Sequence, residues 1–454
     1  MKIPPSIFRQ YDIRGVVGEH LDPQVAHAIG RAVATDARQR TGKAARLAVG
    51  RDNRPSGDVL AHALGDGMAA AGATAIDIGM LPTPALYLAL HELGVDGGVQ
   101  VTGSHNPPQF NGFKMVVGGK TLYGEDIQEL RRLIEDDATD DGAGSLEVET
   151  TVLERYSAAI LERNGPLARP IRVVVDCGNG VTSLVAERVL SRLGADVTPL
   201  FCESDGTFPN HHPDPSVLEN LIDLQEAVRR VKAELGIAFD GDGDRIAVVD
   251  ERGEVVYGDK LLALFGRDLV QRLGDGHSVI FDVKCSDVLA GDLEKSGLKP
   301  VMWKTGHSLI KAKMKELGSP LAGEMSGHMF FGGDYYGFDD ALFAAARLLD
   351  YLAKTNEPIS VMLSSLPQRY STPELRVDCD DDRKFDIVAR AVEHFSSKYE
   401  TLNIDGVRIS FADGWGLIRA SNTQPVLVMR FEAGSEEGLQ SYRGEVEEWL
   451  ASEM

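Results

Sequence analysis

The sequence predicts an α/β protein in which three related α/β domains surround a central cleft and a smaller α+β domain follows at the carboxyl end. Three observations predict this fold. Apolar strand-like runs alternate with helical patterns at three places, each unit contains a second strand-like run that opens into a polar loop, and the order of elements changes after residue 366. Strands that alternate with helices are typical of largely parallel sheets.

Length and composition favour several globular domains. The chain has 454 residues, more than one hydrophobic core usually organises, so roughly three or four domains of about 100 to 150 residues are expected. A hydrophobic content of 43% and 48 glycines spread along the chain argue against disorder. The predicted domains are residues 1–149, 150–252, 253–366 and 367–454.

Charge and cysteine usage exclude several kinds of partner. The net charge of -22 argues against nucleic acid or an anionic membrane, because both require a basic face, and an anionic substrate must meet a local basic pocket. Four cysteines without CxxC spacing predict reduced thiols. No run of about 18 apolar residues and no signal-peptide core occur, so we expect a cytoplasmic protein.

Each of the three related units is predicted to contain two strands and a helix. The first strands are residues 47–52, 172–180 and 278–286, and the helices that follow are 58–71, 182–193 and 286–296. The second strands open into polar loops at 98–106, 236–245 and 320–328. Although the repeat is weak in residue identities, three such loops can surround one cleft.

The carboxyl-terminal segment has a different pattern. An acidic turn at Asp378 to Asp382 precedes a helical pattern, and short strand-like pieces follow, beginning with residues 406–411. This order predicts a smaller α+β domain that closes over the others.

The loop VTGSHNPPQFNGFK, residues 101–114, sets Ser104, His105 and Asn106 after an apolar run, with Lys114 close behind. A serine presented in this way is a candidate nucleophile or phosphate carrier. For an isolated SHNPP, a turn or helix cap is the better explanation, so this loop alone decides little.

The segment DGDGDR places Asp240, Asp242 and Asp244 at alternate positions, so three carboxylates can converge on Mg²⁺ or Ca²⁺. A calcium loop of the EF-hand kind is disfavoured, because Arg245 stands where that loop needs glycine and the flanks are strand-like rather than helical. A solvated acidic turn is the other alternative.

The segment GEMSGH sets Glu324, Ser326 and His328 on a glycine-framed loop. Its carboxylate and hydroxyl can pair with neighbouring sugar hydroxyls, and its imidazole can exchange a proton with a reacting oxygen. A plain turn is the alternative.

The segment RASNTQP offers the donors that a phosphate group requires, and its alternative is a turn that closes a hairpin. Its candidate residues are Arg419, Ser421, Asn422 and Thr423. Further scattered basic candidates are Arg14, Lys284 and His307, each of which also suits a plain surface position.

Together these segments resemble the α-D-phosphohexomutase family, most closely its bacterial phosphomannomutase/phosphoglucomutase branch. The resemblance covers essentially the full length, and its signatures are YDIRG, TGSHNP, DGDGDR, GEMSGH and RxSNTxP. It implies three α/β domains and a fourth with a TATA-binding-protein-like fold.

The resemblance also implies site residues. Ser104 is expected to carry the transferable phosphate, and one Mg²⁺ is expected to bind that phosphoserine together with Asp240, Asp242 and Asp244. The expected catalytic group adds Arg14, His105, Asn106, Lys114, Arg245, His307 and His328. The expected substrate-binding residues are Tyr11, Lys284, Thr305, Gly306, Glu324, Ser326, Arg419, Ser421, Asn422 and Thr423. Lys114, His307 and His328 all stay open as proton carriers.

The implied activity is reversible phosphoryl transfer between C1 and C6 of glucose and mannose phosphates. Hexose phosphates are the expected partners, a hexose 1,6-bisphosphate is the expected intermediate and activator, and a monomer is expected. Met325 points to dual specificity, because glucose-restricted members usually have Glu and acetylglucosamine-phosphate mutases usually have Gln at this position. The alternatives are an N-acetylglucosamine-phosphate mutase, a metal-dependent phosphatase or phosphodiesterase, and a catalytically silent sugar-phosphate-binding protein.

Overall fold

Four β-sheets follow one another along the chain in the computed structural model, which describes residues 3–422 and 424–454. Their strands lie within residues 13–148, 172–256, 278–331 and 370–433. We call each sheet with its helices a unit, numbered one to four. The exact domain boundaries stay a prediction.

The first unit has a mixed sheet in the order β1-β5-β4-β2-β3-β7, with β6 paired to β5. Strands β3 and β4 run parallel to β2, whereas β5 is antiparallel to its three partners, β1, β4 and β6. The elements are β1 Ile13–Val16, α1 Pro23–Thr41, β2 Arg46–Arg51, α2 Gly57–Ala70, β3 Thr74–Met80, α3 Thr83–Glu92, β4 Gly97–Val101, β5 Phe110–Val117, β6 Lys120–Thr121, α4 Glu125–Glu135 and β7 Ser145–Val148.

The second unit has the strand order β12-β11-β10-β8-β9. Its elements are α5 Val152–Asn164, β8 Arg172–Asp176, α6 Ala186–Leu193, β9 Asp196–Leu200, α7 Ile222–Val231, β10 Leu235–Phe239, β11 Ile246–Asp250 and β12 Val255–Val256. The predicted helix at 182–193 begins later than expected, since Val181–Leu184 form a 3-10 turn before α6.

The third unit has the strand order β14-β13-β15-β16. Its elements are α8 Gly258–Leu273, β13 Ser278–Asp282, α9 Asp287–Lys295, β14 Lys299–Trp303, α10 His307–Leu317, β15 Leu321–Gly323, β16 Met329–Phe331, α11 Ala341–Thr355 and α12 Ile359–Leu363.

The first three units share one arrangement, which confirms the predicted relationship. In each, a strand runs parallel to the first long strand of its unit and then returns as an antiparallel hairpin. The hairpins are β4 with β5, β10 with β11, and β15 with β16. Since the predicted polar loops connect exactly these strand pairs, all three loops lie at the carboxyl ends of parallel strands, where ligands of α/β folds usually bind.

The fourth unit is an α+β domain, as predicted. All pairings in its sheet are antiparallel, and α13 and α14 pack against the sheet. Its elements are β17 Tyr370–Ser371, β18 Leu375–Asp378, α13 Lys384–Ser396, β19 Glu400–Leu402, β20 Val407–Phe411, β21 Gly414–Ala420, β22 Val426–Ala433 and α14 Glu436–Glu453.

The hydrophobic cores explain how the units are joined. One continuous cluster of buried side chains runs through units one to three and includes Tyr87, Tyr156 and Phe343. The fourth unit has its own core and contacts the third through a small cluster in which Trp415 packs near Val283. Among the described residues, no helix has the length and apolar character needed to cross a membrane.

Candidate active site

The three aspartates of DGDGDR lie in the turn between β10 and β11 and are completely buried. Gly243 has a φ of 79°, a left-handed conformation that glycine adopts without strain and that lets the turn fold tightly. One carboxylate oxygen each from Asp240, Asp242 and Asp244 lies within 4.8 Å of the other two. The predicted convergence of these carboxylates is therefore present.

The oxygens of this cluster suit a hard divalent cation. Oδ1 of Asp240 accepts the backbone N–H groups of Gly243, Asp244 and Arg245 at 3.0 to 3.1 Å, which fixes the turn. By contrast, Oδ1 of Asp242 and Oδ1 of Asp244 have no hydrogen-bond partner within the described part of the chain. Because a buried carboxylate oxygen without a partner is costly, these atoms fit a cation with oxygen ligands.

Lys114 crosses from β5 of the first unit into this cluster. Its Nζ donates to Oδ2 of Asp242 at 2.7 Å and to Oδ2 of Asp244. Burial alone lowers the pKa of Lys114, but the two aspartates outweigh burial and raise it, so the ammonium is charged. The ammonium therefore contacts two of the three carboxylates, and Asp240, whose pKa is raised by burial and by the other two aspartates, contacts Ser104 instead.

Ser104 lies directly against the aspartates. It follows β4, is 2% exposed and has a φ of 49°. Its Oγ donates to Oδ2 of Asp240 at 2.9 Å and lies 3.1 Å from Nδ1 of His105. Asn106 accepts a hydrogen bond from Arg14 through its Oδ1. The serine hydroxyl and the carboxylates therefore form one centre.

The segment GEMSGH, residues 323–328, which we call the sugar loop after its predicted role, reaches the same centre from the third unit. Oε1 of Glu324 accepts the backbone N–H of Gly306 at 2.5 Å, and Oε2 lies 2.9 Å from Nδ1 of His328. Ser326 Oγ lies 3.1 Å from the same Nδ1. Nε2 of His328 lies 3.4 Å from Oδ1 of Asp244, an ionic contact that lacks the alignment of a hydrogen bond.

Burial and charge set the pKa values of this pair in opposite directions. Burial lowers the pKa of His328, but Asp244 and Glu324 raise it to about 9. Burial raises the pKa of Glu324, but the contact with His328 brings it down to about 2. Glu324 and His328 therefore form a buried ion pair near neutral pH.

Two further predicted residues surround His328. Its ring stacks on the ring of His307 with centroids 5.7 Å apart, and Nε of Arg245 lies 3.3 Å from its Nε2. When His328 is charged, its Nε2 carries a proton, so Nε of Arg245 and Nε2 of His328 are both donors and their contact is not a hydrogen bond. Burial lowers the pKa of His307, whose Nδ1 is 3.3 Å from Asp339 without hydrogen-bond alignment.

The segment RASNTQP of the fourth unit, which we call the phosphate loop after its predicted role, contacts the third unit and the amino-terminal part of the chain through the residues that the structure describes. Arg419 on β21 donates through Nε to Oδ2 of Asp405 at 3.0 Å, and the same oxygen accepts the backbone N–H of Thr305. Nδ2 of Asn422 donates to the hydroxyl of Tyr11 at 2.7 Å. Tyr11 in turn donates to the carbonyl oxygen of Thr305 at 2.8 Å.

The predicted site residues that the structure describes form one connected group. They are linked by hydrogen bonds, by ionic contacts or by adjacency in the chain, in some cases through an intermediate residue such as Asp405 or Asp282. Ser421 is buried, and its Oγ accepts the backbone N–H of Gln424 at 3.2 Å. Lys284 donates to Glu374 at 3.1 Å. Thr423 lies outside the described residues.

Sequence reasoning missed several partners of the predicted residues. Thr83 donates to Oδ2 of Asp242 at 2.5 Å, Asp405 holds Arg419, and Glu374 binds Lys284. Each missed residue is the acceptor or donor of a residue distant in sequence. Thr83, Asp405 and Glu374 belong to none of the motifs described above, and local sequence pattern therefore gave no signal for them.

The fold and the site together define a class: a multi-domain α/β protein in which a buried serine hydroxyl meets a cluster of buried carboxylates, and a loop that carries Arg419 lies on a separate unit. Successive parts of the chain match the four domains of the phosphoglucomutase/phosphomannomutase family. They are the alpha/beta/alpha domain I at residues 5–141, domain II at 154–253, domain III at 257–370 and the C-terminal domain at 374–448. The chain belongs to the phosphoglucomutase/phosphomannomutase family.

Individual relatives are similar over nearly the whole chain. A phosphomannomutase/phosphoglucomutase of Pseudomonas aeruginosa is 49% identical over 441 residues, which cover 96% of this chain and 94% of that protein. A phosphoglucomutase of Neisseria gonorrhoeae is 46% identical over 444 residues, 96% of this chain and 95% of its own. The crystal structure of a phosphoglucomutase/phosphomannomutase family protein from Burkholderia thailandensis superposes with a TM-score of 0.92 at 45% identity and covers 99% and 98% of the two chains.

Proposed function

We propose that this chain is a phosphohexomutase that moves a phosphoryl group reversibly between C1 and C6 of glucose and mannose phosphates, with Ser104 as the phosphate carrier. The observation that carries the proposal is the contact between Oγ of Ser104 and Oδ2 of Asp240, 2.9 Å apart inside the buried carboxylate cluster. The names of its relatives as phosphomannomutase/phosphoglucomutase and as phosphoglucomutase support the substrates.

We assign one Mg²⁺ to Asp240, Asp242, Asp244 and a phosphate oxygen on Ser104. When bound, the cation supplies positive charge that offsets the charge of the transferring phosphoryl group. The support from this chain is the set of buried, unpartnered carboxylate oxygens described above. Lys114 and Arg245 add fixed positive charge beside the same carboxylates, which suits electrostatic stabilisation of phosphoryl transfer.

We assign recognition of the substrate to the other two loops. The carboxylate of Glu324 accepts hydrogen bonds from neighbouring sugar hydroxyls. The hydroxyl of Ser326 donates to them or accepts from them. Arg419, which is 5% exposed, holds the phosphate that is not reacting, together with Ser421, Asn422 and Thr423. A guanidinium suits this role because its planar fork binds two phosphate oxygens at once.

The proposed reaction has two phosphoryl transfers. A free sugar hydroxyl attacks the phosphate on Ser104, a bond forms between that hydroxyl oxygen and phosphorus, and the bond from phosphorus to Oγ breaks. The hydroxyl proton passes to a carrier near the centre. Of the three candidates, Lys114 and His328 already carry a proton near neutral pH and can only donate, so His307, whose pKa is lowered by burial, is the candidate acceptor. Oγ of Ser104 then attacks the other phosphate of the hexose 1,6-bisphosphate: the bond from phosphorus to Oγ forms, the bond from phosphorus to the sugar oxygen breaks, and that sugar oxygen takes the proton back from the carrier. Because Ser104 and the Arg419 loop are fixed, the bisphosphate has to turn between the transfers.

Dual use of glucose and mannose follows from where the site contacts the sugar. The two sugars differ only at C2, so polar contacts to the hydroxyls at C3 and C4 do not separate them strongly. Met325 supports the same assignment, since the chain has neither Glu nor Gln at that position.

The direct test is Ser104→Ala, with Ser397→Ala in the fourth unit as the control. Ser397 is exposed, and its Oγ donates to the carbonyl of His394. We expect Ser104→Ala to lose more than 99% of mutase activity, and mass spectrometry of the wild-type protein to find one phosphate on the peptide containing Ser104. Activity retained by Ser104→Ala, or a phosphate found reproducibly on another residue, overturns the mechanism. Net release of inorganic phosphate instead of isomerisation identifies a phosphatase.

A further inference from the structure

A buried arginine lies directly under the loop that carries Ser104. Arg54 follows β2 and precedes α2, and its side chain is completely buried. Four of its hydrogen bonds go to main-chain carbonyl oxygens of that loop, at 2.7 to 2.9 Å. Nη2 donates to Ser104 and Asn106, and Nη1 donates to Pro107 and Phe110.

Asp52 completes this arrangement. Nε of Arg54 donates to Oδ2 of Asp52 at 3.1 Å, so all five N–H groups of the guanidinium have an acceptor. The same carboxylate accepts the hydroxyl of Thr102 at 2.7 Å and the backbone N–H of Gly103 at 3.3 Å. The pair therefore holds the start of the loop through Asp52 and the rest of it through Arg54.

The loop needs such support because its backbone is irregular. Ser104 has a φ of 49°, which is unfavourable for a residue with a side chain, and its carbonyl accepts a hydrogen bond from Arg54. Buried carbonyl groups without a donor destabilise a loop. The donors of Arg54 thus stabilise the backbone conformation that directs Oγ of Ser104 toward Asp240.

The packing around the guanidinium leaves room only for a planar group. A Cβ atom added to Gly103 would lie 2.6 Å from Cζ of Arg54. On its other side, Phe208 of the second unit places its ring centroid 5.1 Å from Cζ. Lysine has a single ammonium with three donors, so it cannot satisfy four carbonyls and a carboxylate in this space.

We propose that Arg54 is a positioning residue for phosphoryl transfer. It does not touch the reacting atoms, and it acts through the backbone carbonyls of Ser104 and Asn106 to hold the Ser104 hydroxyl against the carboxylate centre. This inference rests on the proposed function of Ser104 as the phosphate carrier. We therefore expect a substitution of Arg54 to lower kcat and to leave substrate binding nearly unchanged. In the described part of the structure, the guanidinium makes no hydrogen bond or ion pair with the sugar loop or the phosphate loop.

The experiment compares Arg54→Lys with Arg347→Lys. Both arginines are buried and paired with an aspartate, but Arg347 lies on α11 and contacts Asp334, away from Ser104. With glucose 1-phosphate and saturating glucose 1,6-bisphosphate, we expect Arg54→Lys to lower kcat at least 100-fold and to change KM less than threefold. Arg347→Lys is expected to keep kcat within threefold.

A second variant covers the case in which Arg54→Lys does not fold. Gly103→Ala leaves Arg54 in the chain, but its new methyl group displaces the guanidinium from the loop. We expect the same loss of kcat with little change of KM. If kcat of either folded variant stays within threefold of the wild type, the positioning role is wrong.

Hydrogen exchange separates a failure of this inference from a failure of the proposed function. If wild-type Ser104 carries no phosphate, the proposed function is wrong, but the amides of residues 103–112 still report on Arg54. Faster exchange of these amides in Arg54→Lys, with unchanged exchange in Arg347→Lys, supports the role of Arg54 in ordering the loop. Unchanged exchange in both variants overturns it.

Discussion

The side-chain amide of Asn422 donates a hydrogen bond to the hydroxyl of Tyr11 at 2.7 Å and so joins two residues 411 positions apart in the chain. The same hydroxyl donates to the carbonyl of Thr305 at 2.8 Å. Burial raises the pKa of Tyr11 above its ordinary range, so the hydroxyl keeps its proton. One phenol therefore links the first, third and fourth units beside the proposed phosphate loop.

Tyr11→Phe removes both hydrogen bonds and leaves the aromatic ring. Because neutral hydrogen bonds contribute about 1 kcal/mol each, we expect KM for glucose 1-phosphate to rise roughly 5- to 30-fold. A smaller effect on kcat is expected, since Tyr11 does not contact Ser104. Steady-state kinetics measure both values. Tyr399→Phe, which removes a hydroxyl bonded to Glu445 within the fourth unit, is the control, and an equal KM in the two variants contradicts the prediction.

Asp242→Asn tests the proposed metal site. The substitution removes one negative charge from a cluster in which Oδ1 of Asp242 has no partner among the described residues. We expect the dissociation constant for Mg²⁺, measured by titration calorimetry, to increase at least about tenfold. Asp223→Asn, an exposed position on α7, is expected to bind Mg²⁺ like the wild type. Equal affinity in all three proteins argues against this site.

Arg419→Ala tests the proposed grip on the phosphate that does not react. Hydrogen bonds to charged groups contribute about 1.5 to 3 kcal/mol, so KM is expected to increase roughly 10- to 100-fold. The matched control is Arg390→Ala, because Arg390 is an exposed arginine of the same unit and pairs with Glu453. A similar KM for Arg419→Ala and Arg390→Ala removes Arg419 from the substrate site.

The choice of sugar is tested by comparing three substrates. We expect kcat/KM for glucose 1-phosphate and mannose 1-phosphate to agree within about tenfold, because the two sugars differ only at C2. Turnover of N-acetylglucosamine 1-phosphate is expected to be at least about 100-fold lower, and Met325→Gln should narrow that gap. A preference of the wild type for the acetylated sugar shows that Met325 was misinterpreted.

Asp340→Asn tests a buried carboxyl to which the proposed reaction assigns no role. Asp340 accepts hydrogen bonds from Tyr156 and Tyr335 at 2.8 Å and caps α11. Burial raises its pKa to about 7, so the folded protein binds a proton that the unfolded chain releases near pH 4. The stabilisation by protonated Asp340 is present below pH 4 and is lost as pH rises through 7.

The measurement is the melting temperature of Asp340→Asn minus that of the wild type, followed from pH 4 to pH 8. Because Asn is neutral throughout, we expect this difference to increase with pH, with a free-energy change of at most about 4 kcal/mol. The exposed Asp66→Asn on α2 is the control and should show a flat difference. A flat profile for Asp340→Asn contradicts the raised pKa.

Local patterns in the sequence determined the fold to a large extent. The alternation of apolar runs and helical patterns predicted the strands β2, β8 and β13, and the polar loops were placed correctly after β4, β10 and β15. Local pattern is informative there because a buried strand must be apolar and a ligand loop must be polar at its end. Residues 181–184 show the limit of such patterns, since a 3-10 turn replaced the expected start of a helix.

The sequence by itself also determined which residue types make up the candidate site: a serine, three alternating aspartates, a glutamate with a histidine, and an arginine loop. Only the tertiary structure decided how they meet. Lys114 reaches Asp242 across 128 positions, Arg54 supports the carbonyl of Ser104 across 50, and Asn422 reaches Tyr11 across 411. The first contact depends on the packing of two sheets on a shared core, the second on the pairing of β2 with β4, and the third on the docking of a unit that has its own core. No local pattern of residues encodes these long-range arrangements.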